Sequence, residues 1–327
     1  MDDMSDSQLS KSPTGGMGWP WSKGKAGSFP PLAEWPKITV VTPSFNQGQF
    51  IEETIRSVLL QDYPNLEYLI IDGGSTDDTL TIIRRYEPWI TKWVSEADEG
   101  QADAINKGFA LSAGELLCWL NSDDLFYPGH LHRMGAAFVD HPEADFIFSD
   151  IDVGPAPESV TSTLRGQLIP FSEMVRTLDV PIPQQCSMWR RRAWDSLGGL
   201  DPRWQVVLDR EFFLRLVEHC HTLYIPGSGG FFRQHEQAKS SAELARWADE
   251  LPRLYREFFD RDDLAPEIAE LRGETLAMTY LTCAHIADRE GKLTDRLRYL
   301  ALALASDWRT VARRLTRRDQ QYRGAEQ

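Results

Sequence analysis

The sequence predicts an α/β protein: a mostly parallel central sheet with helices on both faces, followed by an α-helical C-terminal extension. Three observations carry this prediction. From Lys37 onward, short apolar runs of strand length alternate with stretches of helical periodicity. The repeated β-α-β order of these runs implies a largely parallel sheet covered on both faces. Beyond Ser241 almost every stretch has helical periodicity and no further strand signal follows.

Residues 1–36 are rich in Ser, Gly, Pro and Lys, and Trp19, Trp21 and Trp35 are too scattered there to build a core, so the segment reads as a flexible leader. The next region, 37–240, opens with "ITVVT", "FIEETIRSVLLQ", "LEYLIID", "DTLTIIRRYE", "TKWVSE", "ADAINKGFALSA" and "ELLCWLN", a repeated β-α-β pattern. After "ADFIFSDIDV", the Pro, Ser and Gly content of 154–170 predicts a long loop. Order resumes with "CSMWRR", a helix over 208–218 and "TLYIPGSGGFFRQH". The last region, 241–327, is predicted helical, and Leu293, Leu297, Leu300, Leu304, Val311 and Leu315 recur at spacings compatible with one apolar face. Together with "AMTYLTCAHIADREGK" they predict an α-hairpin like a single tetratricopeptide-type unit, below the number of units a solenoid needs.

Composition narrows the function classes. The chain has 327 residues and a formal net charge of −14, and a chain without a basic face overall is not built to bind nucleic acid. Cys118, Cys186, Cys220 and Cys283 are widely spaced with no CxxC pair, which points to a reducing compartment. The N-terminus is acidic and polar, and no run of eighteen apolar residues occurs, so secretion and membrane spanning are not expected. The motifs GxxxxGK[ST] and GxGxxG after the first strand are both missing, which disfavours a P-loop nucleotidase and a dinucleotide dehydrogenase.

The strand ends carry the chemistry. In open parallel sheets, ligands bind beyond the carboxyl ends of the strands. Here "ITVVT" runs into "PSFNQGQ", "LEYLIID" ends at Asp72 before "GGSTDD", "TKWVSE" ends at Glu96, and "ELLCWLN" ends at Asn121 before Ser122, Asp123 and Asp124. A turn with a helix cap accounts for "DGGSTDDT" alone, and an exposed turn accounts for "NSDD" alone. Carboxylates converging on one crevice repel each other unless a hard cation sits among them, so a divalent metal carrying a diphosphate is the economical explanation.

The segments "ITVVTPSFNQGQFIEETIRSVLLQDYPNLEYLIIDGGSTDDT", "SEADEGQADAINKGFALSAGELLCWLNSDD", "GGLDPRWQVVLDREFFLRL" and "RQHEQAKS", in this order over 37–241, resemble the inverting GT-A glycosyltransferases of family 2. The resemblance implies a Rossmann-like GT-A domain, a nucleotide-diphosphate sugar donor with a UDP-sugar foremost, and a divalent metal, Mn²⁺ or Mg²⁺. It also implies direct, inverting transfer to an acceptor hydroxyl. By match, Pro43, Ser44 and Asn46 line the nucleotide pocket and Asp72 meets the base, while Asp103 and Lys107 lie in a segment that touches nucleotide or phosphate. The family's DxD motif falls on Asn121, Ser122 and Asp123, so this chain departs at the first position, where Asn121 keeps a carbonyl oxygen without the charge. Asp123 is then the expected metal ligand, Asp124 holds a donor-sugar hydroxyl or the metal's water, and His235 matches a position near metal and pyrophosphate. Asp209 matches the family's catalytic base, although its place at the start of a helix also allows a cap.

Gln184, Trp189 and Trp204 fall in the region resembling the acceptor side, where a Trp face can stack on a sugar or simply fill a core. His130, His132, His219 and His221 are expected to be surface or structural. The acceptor expected is a saccharide or lipid-linked saccharide in polysaccharide or glycoconjugate synthesis, in the cytoplasm or at the inner face of the membrane. Arg309, Arg313, Arg314, Arg317, Arg318 and Arg323 form a basic face that suits an anionic membrane surface, an oligomer contact or plain solvation. Two other readings are a nucleotide-sugar-binding regulatory or scaffolding protein that has lost catalysis, with Asn121 as its mark, and a metal-dependent phosphatase or nucleotidyltransferase.

Overall fold

The computed structural model describes residues 18–22, 24, 34–235 and 243–324, with the side chains of the last helix described to residue 314. The strands are β1 (Ile38–Ser44), β2 (Leu66–Asp72), β3 (Lys92–Ser95), β4 (Leu116–Trp119), β5 (Leu125–Phe126), β6 (Phe146–Gly154), β7 (Ser162–Leu164), β8 (Ser187–Arg190) and β9 (Thr222–Arg233). Among the described residues they form one sheet in the order β3-β2-β1-β4-β8-β6-β9-β5, with β7 beside β6. The pairs β2/β3, β1/β2 and β1/β4 are parallel, as the repeated β-α-β pattern predicts. Direction reverses at β8, which runs antiparallel to both β4 and β6, so the sheet is mixed beyond its first four strands.

The helices are α1 (Ile51–Leu59), α2 (Thr79–Tyr86), α3 (Gln101–Ala110), α4 (His130–Asp140), α5 (Phe171–Thr177), α6 (Arg191–Leu197), α7 (Leu208–His219), α8 (Leu244–Phe259), α9 (Pro266–Ala269), α10 (Arg272–Arg289) and α11 (Leu293–Gly324). Ile51, Ile55 and Val58 of α1, spaced for one helix face, are buried together with Ile38, Val40 and Ile70 of the sheet. Helix α3 lies against β1 because Gly108 has no side chain: a Cβ there would meet Val41 Cγ1 at 2.5 Å.

Two compact units emerge. The first comprises 1–168, 181–203 and 215–235 and holds every strand; the second comprises 169–180, 204–214 and 236–327. Composition placed a boundary at 240/241, whereas the second unit also takes in 169–180 and 204–214.

Three expectations change. First, Trp19 and Trp35 of the expected leader pack on the main core. Trp19 Nε1 donates to Phe126 O at 2.8 Å, and Trp35 meets Tyr63 and His132 edge-on. The cause is Arg56, buried in α1, whose guanidinium needs acceptors and finds Pro20 O and Trp21 O. Second, the expected loop over 154–170 contains β7, paired with β6.

The third change concerns the C-terminal hairpin. Helices α10 and α11 do pack together, but Leu293, Leu297 and Leu304 are 60, 58 and 52% exposed while Val311 is buried. Helix α11 breaks at Asp307 (φ −159°, ψ 97°), whose carboxylate caps the following turn through Arg309 N and Thr310 Oγ1. The break resets the helical phase, so residues on either side of it no longer share one face. Leu315 and the arginines at 317, 318 and 323 lie outside the described side chains. Among the described residues no helix is long and apolar enough to cross a membrane.

Candidate active site

The register Ser44↔Asp72↔Ser95 brings the carboxyl ends of β1, β2 and β3 to one edge of the first unit. There Asp72 is fully buried. Its oxygens accept from Gly74 N (3.1 Å), Ser75 N (2.9 Å), Ser75 Oγ (2.5 Å) and Ser95 Oγ (2.7 Å). Ser75 Oγ in turn accepts from Asn46 N, and Asn46 Oδ1 accepts from Thr76 N at 2.9 Å. Asn46 sits at φ +52°, a left-handed conformation that Asn tolerates better than most residues. The expected nucleotide residues Pro43, Ser44, Asn46 and Asp72 are therefore brought together. The Asp72 carboxylate, however, points into the loop that follows it.

The segment before α3 forms a second cluster. Lys107 Nζ lies 3.1 Å from Asp103 and 3.2 Å from Glu96, and Asp103 also accepts from Glu99 N. Burial works against the Asp103 charge, yet the Glu99 amide and Lys107 hold its carboxyl below the usual carboxylate range. Gly73 lies close beside this segment: a Cβ there would stand 2.7 Å from Asp98 Oδ2, and the Asp98 side chain would have to shift.

The stretch after β4 divides its two adjacent aspartates. Asp124 turns inward, fully buried, and accepts from Arg233 N (3.0 Å), Gln185 Nε2 (2.9 Å) and Asn121 Nδ2 (3.2 Å). Burial first, and Asp123 next, push its carboxyl well above the usual range, while its three donors oppose the shift. Asp124 was expected to face a sugar hydroxyl or a water, and it instead joins the loop to β9 and to the turn at 184–186. Asn121 Oδ1, the carbonyl oxygen kept at the first DxD position, accepts from Gln101 Nε2 at 2.7 Å.

Asp123 points the other way. Its Oδ2 lies 3.0 Å from His235 Nε2, and the two side chains are 18 and 15% exposed. The His235 ring rests on Phe50, centroids 4.5 Å apart, and its Nδ1 is buried with no partner among the described residues. Arg233, two residues before the histidine, fixes this end of β9: it pairs with Glu53 of α1, donates from Nε to Asp123 O at 3.1 Å and lies over the Phe50 ring.

A divalent cation can be tested against this pair. Two donor atoms about 2.1 Å from one octahedral ion, at right angles, stand about 3.0 Å apart. The Asp123 and His235 atoms have that separation, and carboxylate oxygen with imidazole nitrogen suits Mn²⁺. Among the described residues no group of three or more His, Cys, Asp or Glu could hold an ion, so a bound cation would complete its shell from ligand and water. Residues 236–240 of the "RQHEQAKS" motif lie outside the described residues.

Asp209 belongs to the second unit, in the first turn of α7. Burial pushes its carboxyl above the usual range, with the Arg210 amide and guanidinium opposing. The turn that leads into this helix is held from elsewhere in the unit. Glu250 of α8, 4% exposed, accepts from the backbone N–H groups of Gln205, Val206 and Val207. Asp209 itself accepts from the adjacent Arg210 N and from its own amide. Sequence reasoning missed Glu250, since nothing in "RWADELPRLY" singles out one acid.

The possible acceptor-side residues prove to be packed. Trp189 is fully buried among Phe109, Trp119 and Trp194, and Trp204 is buried beneath Arg253. Gln184 Nε2 donates to Trp119 O. His130 is buried and His132 packs between Trp35 and Tyr63, both structural as expected.

Comparison with known proteins gives the family and the fold. Residues 39–196 match the model of glycosyl transferase family 2. An uncharacterized glycosyltransferase of Mycobacterium tuberculosis is 30% identical over 201 residues, spanning 58% of this chain and 72% of that protein. A PGL/p-HBAD biosynthesis glycosyltransferase of Mycobacterium bovis is 26% identical over 184 residues, 55% of this chain and 69% of the other. In fold, the chain is similar to S. aureus TarS 1–349 solved with UDP-GlcNAc (TM-score 0.56, 14% identity, 81% of this chain and 90% of that one). It is also similar to the mannosyltransferase PcManGT of Pyrobaculum calidifontis, solved with GDP-Man and Mn²⁺ (TM-score 0.57, 19% identity, 87% and 79%). The family match and the fold together define a glycosyltransferase of the GT-A type. The chain belongs to glycosyl transferase family 2.

Proposed function

We propose that the chain transfers a sugar, with inversion, from a nucleotide-diphosphate sugar to the hydroxyl of a saccharide or lipid-linked saccharide, in polysaccharide or glycoconjugate synthesis. A UDP-sugar is the first donor to test. The observation that carries this reading is the Asp123–His235 pair at the carboxyl edge of the sheet, spaced for one cation. Asp123 and His235 would hold Mn²⁺ or Mg²⁺, which would supply Lewis-acid stabilisation of the negative charge on the departing nucleoside diphosphate.

The protein's own groups share the remaining tasks. Ser44 and Asn46 form the nucleotide side of the pocket, with Asp72 fixing the loop behind them rather than meeting the base. Lys107, with Asp103 orienting it, faces phosphate. The acceptor oxygen attacks the anomeric carbon opposite the leaving phosphate oxygen, the carbon–phosphate-oxygen bond breaks, and the hydroxyl proton passes to Asp209. The motif match and the raised affinity of Asp209 for a proton support that role. Such a base contributes a factor of roughly 10² to 10⁴.

The protein works in the cytoplasm or against the inner membrane face. Leu293, Leu297, Leu304 and Trp308, exposed on the helix that also carries Arg309 and Arg314, support contact with an anionic bilayer. The test of the transfer reaction is release of nucleoside diphosphate from UDP- and GDP-sugars with Mn²⁺, for wild type and Asp123→Ala. Metal-dependent release that Asp123→Ala loses is expected. Equal release from both proteins would remove the pair from the reaction.

A further inference from the structure

Asp123 and His235 stand 112 positions apart in the chain, one after β4 and one after β9, so their separation is set by whatever joins those two segments. Arg233 joins them. Its backbone N donates to Asp124 Oδ1 at 3.0 Å, its Nε to Asp123 O at 3.1 Å and its Nη1 to Pro155 O at 3.3 Å. Its guanidinium lies 5.1 Å from the centre of the Phe50 ring, the ring on which His235 rests. A buried arginine needs an opposing charge, and Nη2 finds it in Glu53 of α1. Phe50 and Glu53 are three positions apart at the start of α1, hence on one side of its first turn. The same helix grips the loop after β4: Thr54 Oγ1 donates to Asp124 O at 2.8 Å, and Ser57 Oγ accepts from Phe126 N at 3.2 Å. The adjacent Glu52 faces elsewhere, and its Oε1 accepts from Arg85 Nη1 at 2.9 Å and from the Tyr86 hydroxyl at 2.8 Å.

We propose that Glu53 and Arg233 are positioning residues for the cation pair: Glu53 anchors the Arg233 guanidinium on α1, and Arg233 in turn sets Asp123 and, through Phe50, His235 at a separation one cation can span. This rests on the cation site proposed above. Neither residue needs to touch the ion. The guanidinium suits the task because its planar fork donates in several fixed directions at once and keeps its charge at any working pH. A lysine would keep the charge but lose the fork. Glu53→Gln keeps the shape and an acceptor while leaving Arg233 buried without its opposing charge. Glu52→Gln removes the same charge one residue away, on the side that faces Arg85 and Tyr86. The two adjacent acids therefore separate positioning from a general effect of charge or of stability.

The experiment compares Glu53→Gln with Glu52→Gln on the full chain, below the melting transition of each. Two quantities are read: the affinity for Mn²⁺ in the presence of UDP by calorimetry, and, in the metal-free protein at one pH, the imidazole nitrogen NMR signals of His235, assigned by their loss in His235→Ala. Glu53→Gln is expected to weaken Mn²⁺ about tenfold or more and to move the His235 signals. Glu52→Gln is expected to lower the melting temperature yet stay within about threefold of wild type on Mn²⁺, with His235 unmoved. Equal Mn²⁺ losses in the two variants, or none in either, would overturn the proposal. Arg233→Lys tests the link: it is expected to weaken Mn²⁺ as Glu53→Gln does, and Glu53→Gln added to it to cost no more than about a further threefold. Losses that multiply in full would route Glu53 around Arg233 and overturn the proposal. Should Arg233→Lys not fold, the two glutamine variants decide alone. Asp123→Ala is the control for the site itself. If it binds Mn²⁺ as wild type does, the cation reading falls and the metal-free His235 signals decide: unmoved in Glu53→Gln, they overturn the positioning role as well.

Discussion

The strand edge of the first unit and the C-terminal helix pair of the second reverse the usual allocation of side chains. At the strand edge, Asp72 and Asp124 are fully buried; on α11, Leu293, Leu297 and Leu304 are more than half exposed. A buried carboxylate persists only where donors surround it, and each of these two has at least three. Exposed leucines at helical spacing require no such compensation and leave apolar surface available. Burial therefore marks precision in one region, and exposure marks availability in the other.

Substitutions can break that contrast in a graded order. The largest effect is expected from Asp209→Asn, the carboxylate in the second unit that lacks a ring of donors. Turnover should fall by roughly 10² or more, with donor affinity retained, as measured by nucleoside diphosphate release and calorimetry. Stability should move the opposite way. A carboxyl whose proton affinity is raised on folding destabilises the folded state once pH exceeds its unfolded value, so Asp209→Asn should melt at or above wild type at neutral pH and show no gain near pH 4. The acid limb of the wild-type rate profile should correspondingly lie above the ordinary aspartate range. A variant that loses turnover and stability together would make Asp209 a structural residue.

Next comes Asp72→Ala, which strands the amides of Gly74 and Ser75 and the hydroxyl of Ser95. A loss of about 3 kcal/mol in urea unfolding is expected. A change near zero would mean that these donors find water, and that the strand edge is not built on buried matches. The smallest effect on folding belongs to Leu297→Glu with Leu304→Glu: under about 0.5 kcal/mol each, since both face solvent. In flotation with phosphatidylcholine vesicles containing phosphatidylglycerol, the same pair should abolish binding. Flotation equal to wild type would remove the stripe from any membrane role.

How far the sequence foretold this structure depends on the range of the interactions. Apolar runs ending in polar residues located β1 to β4 and their shared edge, because periodicity and composition are local. The reversal at β8, the pairing of β7 and the packing of Trp19 depend on partners far along the chain, and no local pattern encodes them. Two adjacent aspartates read alike in one dimension; a loop sends one inward and one outward, and only Gln185 and Arg233 reveal which. The leucine pattern of α11 was legible as a period but not as a face, because Asp307 interrupts the helix with a cap of its own.

Glu250 has a practical consequence for anyone shortening or exchanging this protein. A chain ended at 240 would retain every strand and nearly every motif, yet the N–H groups of 205–207 would lose their acceptor and the turn bearing Asp209 its clamp. A chimera with a relative's C-terminal helices would need an acid aligned with position 250, because otherwise the transplanted region would remove the mount of a residue forty-one positions upstream.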